Sequence, residues 1–356
     1  MVEPATAQLS LRSRHILYAA VSEYIATGEP VGSQRLAKRY RIKLSPATIR
    51  SVLADLEEAG YLVQPHPSAG RVPTDAGFRL FVDGLIHMRE LPLEERRAVL
   101  ERLRDTKGNH HALMHEVGSV LSALTGTAAI VVAPRLETER LSQVRFMPLR
   151  EGQYLAVLVT RSGDVQNRIV PFVELMSADE LQELHNYLDS MVSDCSLIEL
   201  RKRLALEVSH ERGDYERLKR RTKHLFDAMM GDVVSETQVI IEGQGLLFDR
   251  PEFANVDKIR SYMHTFESKE KLLELLDQTL VAGGVQVLIG SEAKLSGIED
   301  VSVVSAHYQS AGSTPGTLGI IGPTRIDYAK VMPIVGFTAQ TIGAMLADDA
   351  ESESST

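Results

Sequence analysis

Tryptophan is absent from this 356-residue sequence, cysteine occurs once, and aromatic residues make up 5% of it. A lone thiol, Cys195, leaves no intramolecular disulfide to form, so the fold rests on its hydrophobic core, and such usage suits the cytoplasm. The sequence also lacks a run of 18 or more apolar residues that would cross a bilayer, and MVEPATAQLSLRSR at its start has no secretory apolar core. Cytoplasmic localisation is the expectation.

Catalytic signatures are missing as well. His110, His111, His115 and Glu116 crowd one segment, but no HExxH, cysteine pair or third ligand motif joins them, so no metal site is expected. Residues 312–325, GSTPGTLGIIGPTR, are glycine-rich without the Lys-Ser/Thr of a phosphate loop or a GxGxxG. Cys195 has no histidine nearby in sequence to activate it. With no triad and no paired carboxylates, the chain reads as a non-enzyme with no cofactor.

What is present is an uneven charge. The net charge is −9, which alone argues against a nucleic-acid partner, yet residues 30–54 hold six basic side chains and no acidic one. Residues 1–90 sum to +2 and the remainder to −11. A small basic face on an acidic body favours one confined, oriented contact with DNA over diffuse coating.

Around that face the apolar periodicity predicts helices. Ile16, Leu17, Ala20, Val21, Tyr24 and Ile25 recur at helical spacing and stop at Gly28 and Pro30. A second short helix is expected with Ser33 as its cap, Leu36, Ala37 and Tyr40 inward, and Gln34, Arg35 and Lys38 outward. Arg41 and Lys43 then lie in a turn. Ser45 followed by Pro46 is an N-cap with proline at the first helical position, and Ile49, Val52, Leu53 and Leu56 form its inward stripe.

The third helix is polarised: Ala47, Thr48, Arg50 and Ser51 face outward near its start, whereas Asp55, Glu57 and Glu58 crowd its end. A helix that enters the major groove by its amino end needs that order. Residues 61–64, PHPSAG and residues 71–73 read as a wing hairpin, with Arg71 on the tip side and able to reach a minor groove or a phosphate. Thr74 or Asp75 caps a following helix that carries Phe78, Phe81, Val82 and Leu85. The duplex-facing set is thus Ser33, Gln34, Arg35 and Lys38, then Arg41 and Lys43, then Ser45, Ala47, Thr48, Arg50 and Ser51, with Arg71 on the wing.

GRVPTDAGFRLFVDGL at residues 70–85 resembles the HrcA family of heat-inducible transcription repressors of bacterial chaperone genes. SPATIRSVLADLEEAGYLVQPHPSAGR at 45–71 and LGIIGPTRIDYAKVMPIV at 318–335 resemble the same family's recognition helix, wing and carboxy-terminal signature, so the likeness spans essentially the whole chain. Phe78 and Phe81 stand where the family commonly has tyrosine. The resemblance implies a homodimer that binds an inverted repeat, the CIRCE element, ahead of groE and dnaK operons, with the chaperonin GroEL supporting its activity.

The rest of the chain reads as α+β. Residues 127–134, 153–163 and 285–292, then VSVVSAHYQ and TLGIIGP, are rich in β-branched residues, while residues 177–192 and 199–230 have helical period. The resemblance implies a GAF-like domain carrying an inserted dimerisation domain. The expected organisation is a winged helix-turn-helix over 1–90, a linker helix over 91–109, a GAF-like domain over 110–195 and 261–346, an inserted dimerisation domain over 196–260 and a disordered acidic tail over 347–356. The apolar stripe Leu200, Leu204, Val208, Leu218 and Leu225 can pack on its own domain or on a second chain, and the resemblance favours the second. Two further functions fit the same residues: a winged-helix adaptor that docks on protein, and a metabolite-responsive regulator.

Overall fold

In the computed structural model, Ser10 caps helix α1 (Leu11–Thr27) and Gly28, at φ 71°, ends it in the left-handed conformation that glycine adopts without strain. The structure describes residues 9–85, 90–104, 106, 110–133, 140–150, 152–161, 165–172, 174, 176–192, 195–207, 214–233, 238–248, 256–279, 284–293, 301–309 and 315–353. Helices α2 (Ser33–Arg39) and α3 (Pro46–Glu58) follow, then a hairpin of β1 (Leu62–Val63) and β2 (Val72–Pro73). Helix α4 (Asp75–Leu85) completes the unit; the Thr74 hydroxyl accepts from the Gly77 amide and donates to the Gly60 carbonyl, so Thr74 is the cap. Ser33, expected as the cap of α2, is instead its first helical residue, 7% exposed; Gly32 takes the cap position with no side chain to offer.

Helix α5 (Leu93–Arg104) lies where a linker was expected, but it buries Val99 and Leu103 in the main core. After α6 (His110–Thr125) and β3 (Ala128–Val132), the chain leaves for β4 (Leu141–Arg150), β5 (Gln153–Thr160), β6 (Val165–Pro171), α7 (Ala178–Val192), α8 (Leu197–Glu207) and α9 (Asp214–Val233). It returns in β7 (Val239–Glu242), α10 (Gln244–Phe248), α11 (Val256–Glu267) and α12 (Lys269–Asp277). The last elements are β8 (Val285–Ile289), β9 (Val301–Tyr308), β10 (Gly316–Pro323) and α13 (Tyr328–Glu353).

The central sheet is antiparallel throughout, in the order β7-β3-β10-β9-β8. Both of its faces are covered, which explains why β9 and β10 are buried nearly without interruption. Ala129, Val131, Val304, Leu318 and Ile320 join one core with α6, α13 and the amino-terminal helices. Ala128, Ile130, Val132, Val303 and Ile321 face Leu247, Tyr262, Phe266, Leu272 and Leu275 from α10, α11 and α12. By length and apolarity α13 could cross a membrane over Tyr328–Ala347, yet Val331, Ile334, Val335 and Ile342 are buried against the sheet, as in a core helix.

The excursion between β3 and β7 has a core of its own, running from Leu141 to Met229. The insertion therefore includes β4, β5 and β6, and β7, α10 and α11 belong with the central sheet, in place of the expected insertion over 196–260. Leu200, Leu204 and Leu225 are buried inside this unit beside Leu184 and Leu188, so the stripe expected at a dimer contact packs on its own chain; Val208 lies outside the described residues. The acidic tail also differs from expectation, since α13 continues through Glu353. Extending a nucleated helix with Ala and Glu costs little, which outweighs the local acidity.

The amino-terminal unit is seated on the body. Phe78 packs against Tyr328 with ring centroids 6.1 Å apart. Arg79 Nε donates to Glu292 at 2.9 Å and Nη2 to the Val287 carbonyl at 2.6 Å; the Ser291 hydroxyl donates to Asp75 at 2.8 Å and Arg325 Nη1 to the Ile25 carbonyl at 3.0 Å.

Candidate nucleic-acid interface

The amino end of α3 is built as its sequence dictates. Ser45 has extended backbone, φ −67° and ψ 149°, and its hydroxyl accepts from the Thr48 amide at 3.1 Å, with Pro46 inside the first turn. Ile49, Val52, Leu53 and Leu56 are buried and anchor the helix from below. That leaves Ala47, Arg50 and Ser51 on the exposed face, while the Thr48 hydroxyl stays 2.9 Å from Ser45 Oγ. The first turn carries no acidic residue, so the positive end of the helix dipole is uncompensated.

Four cations surround this helix end. Lys38, Arg41, Lys43 and Arg50 are exposed, and none has a hydrogen bond or ion pair among the described residues. Arg41 adopts φ 48°, which turns the chain from α2 into α3. The outer face of α2 and the start of α3 form an open groove of about 610 Å³, lined by Gln34, Arg35, Ala37, Lys38 and Pro46. The carboxylates Asp55 and Glu58 are exposed at the opposite end of α3.

The other two guanidiniums of this region are held. Arg35 Nη1 lies 2.7 Å from Glu29 and its Nε 3.3 Å from Glu23; Arg39 Nη1 lies 3.1 Å from the same Glu23 oxygen. The hydrogen bond to Glu29 raises the Arg35 pKa, with both carboxylates adding to it. Burial, and after it the Glu23 charge, raises that of the neighbouring Tyr40 phenol. Sequence reasoning named Arg35 but missed Arg39 and Glu23. The signal was there: Glu23 sits on the inward stripe of α1, three residues after Ala20 and seven after Ile16, where a carboxylate needs a cationic partner.

Arg71 is corrected. Its backbone pairs in both directions with Val31, and its Nε donates to Glu57 at 2.8 Å, with the side chain 15% exposed. It sits on the tip side of β2, as expected, but is held onto Val31 and α3, so its guanidinium is engaged with Glu57 and does not extend from the wing. Gly70 makes this possible, since a Cβ there would come within 2.6 Å of the Val31 carbonyl. Pro65, His66, Pro67 and Ser68 form the exposed tip, and Gln64 Nε2 ties it by donating to the Pro67 and Ala69 carbonyls. Ser33 lies beneath the surface and offers nothing to the groove.

His115 Nδ1 lies 2.9 Å from Glu242, and among the described residues no group of His, Cys, Asp and Glu is arranged to hold a metal. Cys195 is buried, with its thiol donating to the Met191 carbonyl.

Residues 111–332 match the family described as HrcA protein C terminal domain. The chain is 46% identical over 333 residues to the heat-inducible transcription repressor HrcA of Sorangium cellulosum strain So ce56, covering 93% of this chain and 96% of that one. It is 40% identical over 338 residues to the repressor of the same name from Geobacter sulfurreducens, with 95% and 98% covered. Among solved structures, a crystal structure of a hypothetical protein aligns with a TM-score of 0.63 at 21% identity, over 96% of this chain and all of that one, which marks a shared fold.

Proposed function

The chain belongs to the HrcA family of heat-inducible transcription repressors, which are regulators and not enzymes, and from that premise we propose that it represses chaperone operons of the groE and dnaK type by binding the CIRCE inverted repeat as a homodimer. The amino-terminal unit acts as a winged helix-turn-helix, with α3 entering the major groove by its amino end. The observation that carries this reading is the set of unpartnered cations Lys38, Arg41, Lys43 and Arg50 around a helix start free of acid, with the acids of α3 at its far end. Thr48, Arg50 and Ser51 reach base edges or the phosphates beside them, and Lys38, Arg41 and Lys43 hold phosphate. Gln34 lines the groove, Ser45 and Ala47 flank Pro46 at its helix-start wall, and Arg71 sets the angle of the wing.

The body is GAF-like and carries the dimer contact on its inserted unit. With the leucine stripe buried, the support for dimerisation shifts to the outer face of the β4-β5-β6 sheet. Met147, Leu149, Val165 and Ile169 are exposed there, and Leu155 opposes both Met147 and Ile169 in the register. An apolar sheet face of this kind suits a two-fold contact with a second copy. The protein works in the cytoplasm, and GroEL supports its active form. Footprinting on a duplex carrying the inverted repeat tests the function: two protected half-sites are expected, whereas protection indifferent to sequence, or none, would overturn it.

One feature favours a second reading, the metabolite-responsive regulator. A cleft of about 640 Å³ opens between α4 and the body, with Val82, Leu91, Met332 and Phe337 on its walls and Arg96 at one end. Release of bound DNA by an added small molecule, lost when Gly336→Trp fills the cleft, would support that reading over the first.

A further inference from the structure

Glu23 is fully buried, yet it is the only carboxylate that touches both arginines of α2 among the described residues. Its Oε1 accepts from Arg39 at 3.1 Å and lies 3.3 Å from Arg35 Nε, while its Oε2 has no hydrogen-bond partner among the described residues. The two arginines stand one helical turn apart, where like charges repel, and both remain about half exposed beside the groove.

We propose that Glu23 is a positioning residue that holds Arg35 and Arg39 in fixed orientation at the edge of the groove and so sets how well the protein tells its operator from other DNA. The inference rests on the DNA-binding reading above. A guanidinium has five N–H donors in a rigid fork, so the Arg39 hydrogen bond and the Arg35 ion pair, both directed inward to Glu23, leave outward donors on each aimed and available. The carboxylate cannot follow its partners into solvent, and stripping them away would leave a buried charge unpaired, so a passing phosphate does not draw the arginines off. Glu29, which also meets Arg35, is exposed and gives way easily. The negative charge behind α2 also lowers its attraction for any phosphate, whatever the sequence. Oriented donors with a reduced net charge favour the seated duplex over chance encounters.

Glu23→Gln keeps the shape and an accepting oxygen but removes the charge. Affinity is measured against salt for a duplex carrying the inverted repeat and for a scrambled duplex of equal length. The variant is expected to bind the scrambled duplex more tightly, with a salt slope steeper by about 0.9, and the ratio of operator to scrambled affinity is expected to fall by about tenfold. An unchanged ratio and slope, with only a lower melting temperature, would overturn the proposal and leave Glu23 a packing residue.

Arg35→Gln with Arg39→Gln, made together with Glu23→Gln so that no buried charge is left unpaired, keeps the test alive if Glu23→Gln alone fails to fold. That triple variant must also lose discrimination; if its ratio equals that of the parent, the proposal fails. A parent protein with no preference for the inverted repeat would sink the DNA-binding reading itself, which separates the two failures.

Discussion

Arg50 projects from the second turn of α3 with no side-chain partner among the described residues, on the same exposed face as Ala47 and Ser51. If it meets a guanine, Arg50→Ala should weaken operator binding by about 1–3 kcal/mol in a mobility-shift titration, and unchanged affinity would remove it from the interface. Arg41 allows charge and conformation to be separated. Its φ of 48° is a strained setting for a side chain, so Arg41→Gly should hold or raise the melting temperature by relieving about 1 kcal/mol, while the salt slope of DNA binding flattens by about 0.9. A marked loss of stability would contradict that account. Side-chain types were legible in the sequence wherever their job was local, as for Ser45, Pro46 and the inward leucines of α3. Arg71 and Glu23 were not, because their placement depends on partners 12 to 40 residues away: Glu57 and Val31 for Arg71, and Arg35 and Arg39 for Glu23.

For elements, the same division holds. α3 can be tested by its cap: Ser45→Ala should cost about 1 kcal/mol of stability, read as a lower melting temperature, and should weaken DNA binding further by loosening the first turn. The helices were readable because period, cap and terminator sit within one segment. β4 and β6 were missed, since Arg145, Pro148, Arg150, Gln166, Asn167 and Arg168 interrupt the apolar pattern, and only pairing with β5 makes them strands. That omission moved the insertion boundary, because the core of the unit joins these strands to helices α7, α8 and α9.

The contact between α7 and β4 gives a pH signature. His185 Nε2 lies 3.1 Å from both the amide nitrogen and the carbonyl oxygen of Phe146; burial first, then Arg145, holds its pKa below the usual 6.5. The folded protein therefore keeps this ring neutral while the unfolded chain takes up a proton sooner as pH falls. Its contribution to stability is present above 6.5 and is lost as pH drops below that value. Melting temperature is expected to fall with acidification through this range, and His185→Gln should flatten the dependence; an equal slope in the variant would assign it to other groups.

At the scale of the whole molecule, in the proposed dimer the docked amino-terminal unit and the exposed sheet face of the insertion set how two α3 helices are presented to one palindrome. Ile169→Glu places a charge in the apolar face while leaving the inner face of the sheet untouched. It should yield a folded monomer by sedimentation, and operator affinity should fall by about 10²- to 10⁴-fold with loss of the second engagement; a stable dimer would move the interface elsewhere. The seating of α4 through Arg79, Glu292 and Ser291 ties the amino-terminal unit to the body, so that under the proposed reading half-site spacing is a property of the whole chain.

The most direct measurement is hydroxyl-radical footprinting of the full chain on a duplex with the CIRCE inverted repeat, beside the Arg50→Ala variant. The expected result is two protected half-sites, centred one or two helical turns apart and both weakened by the variant. Equal protection of a scrambled duplex, or a footprint indifferent to Arg50, would contradict the claim that the start of α3 reads the operator.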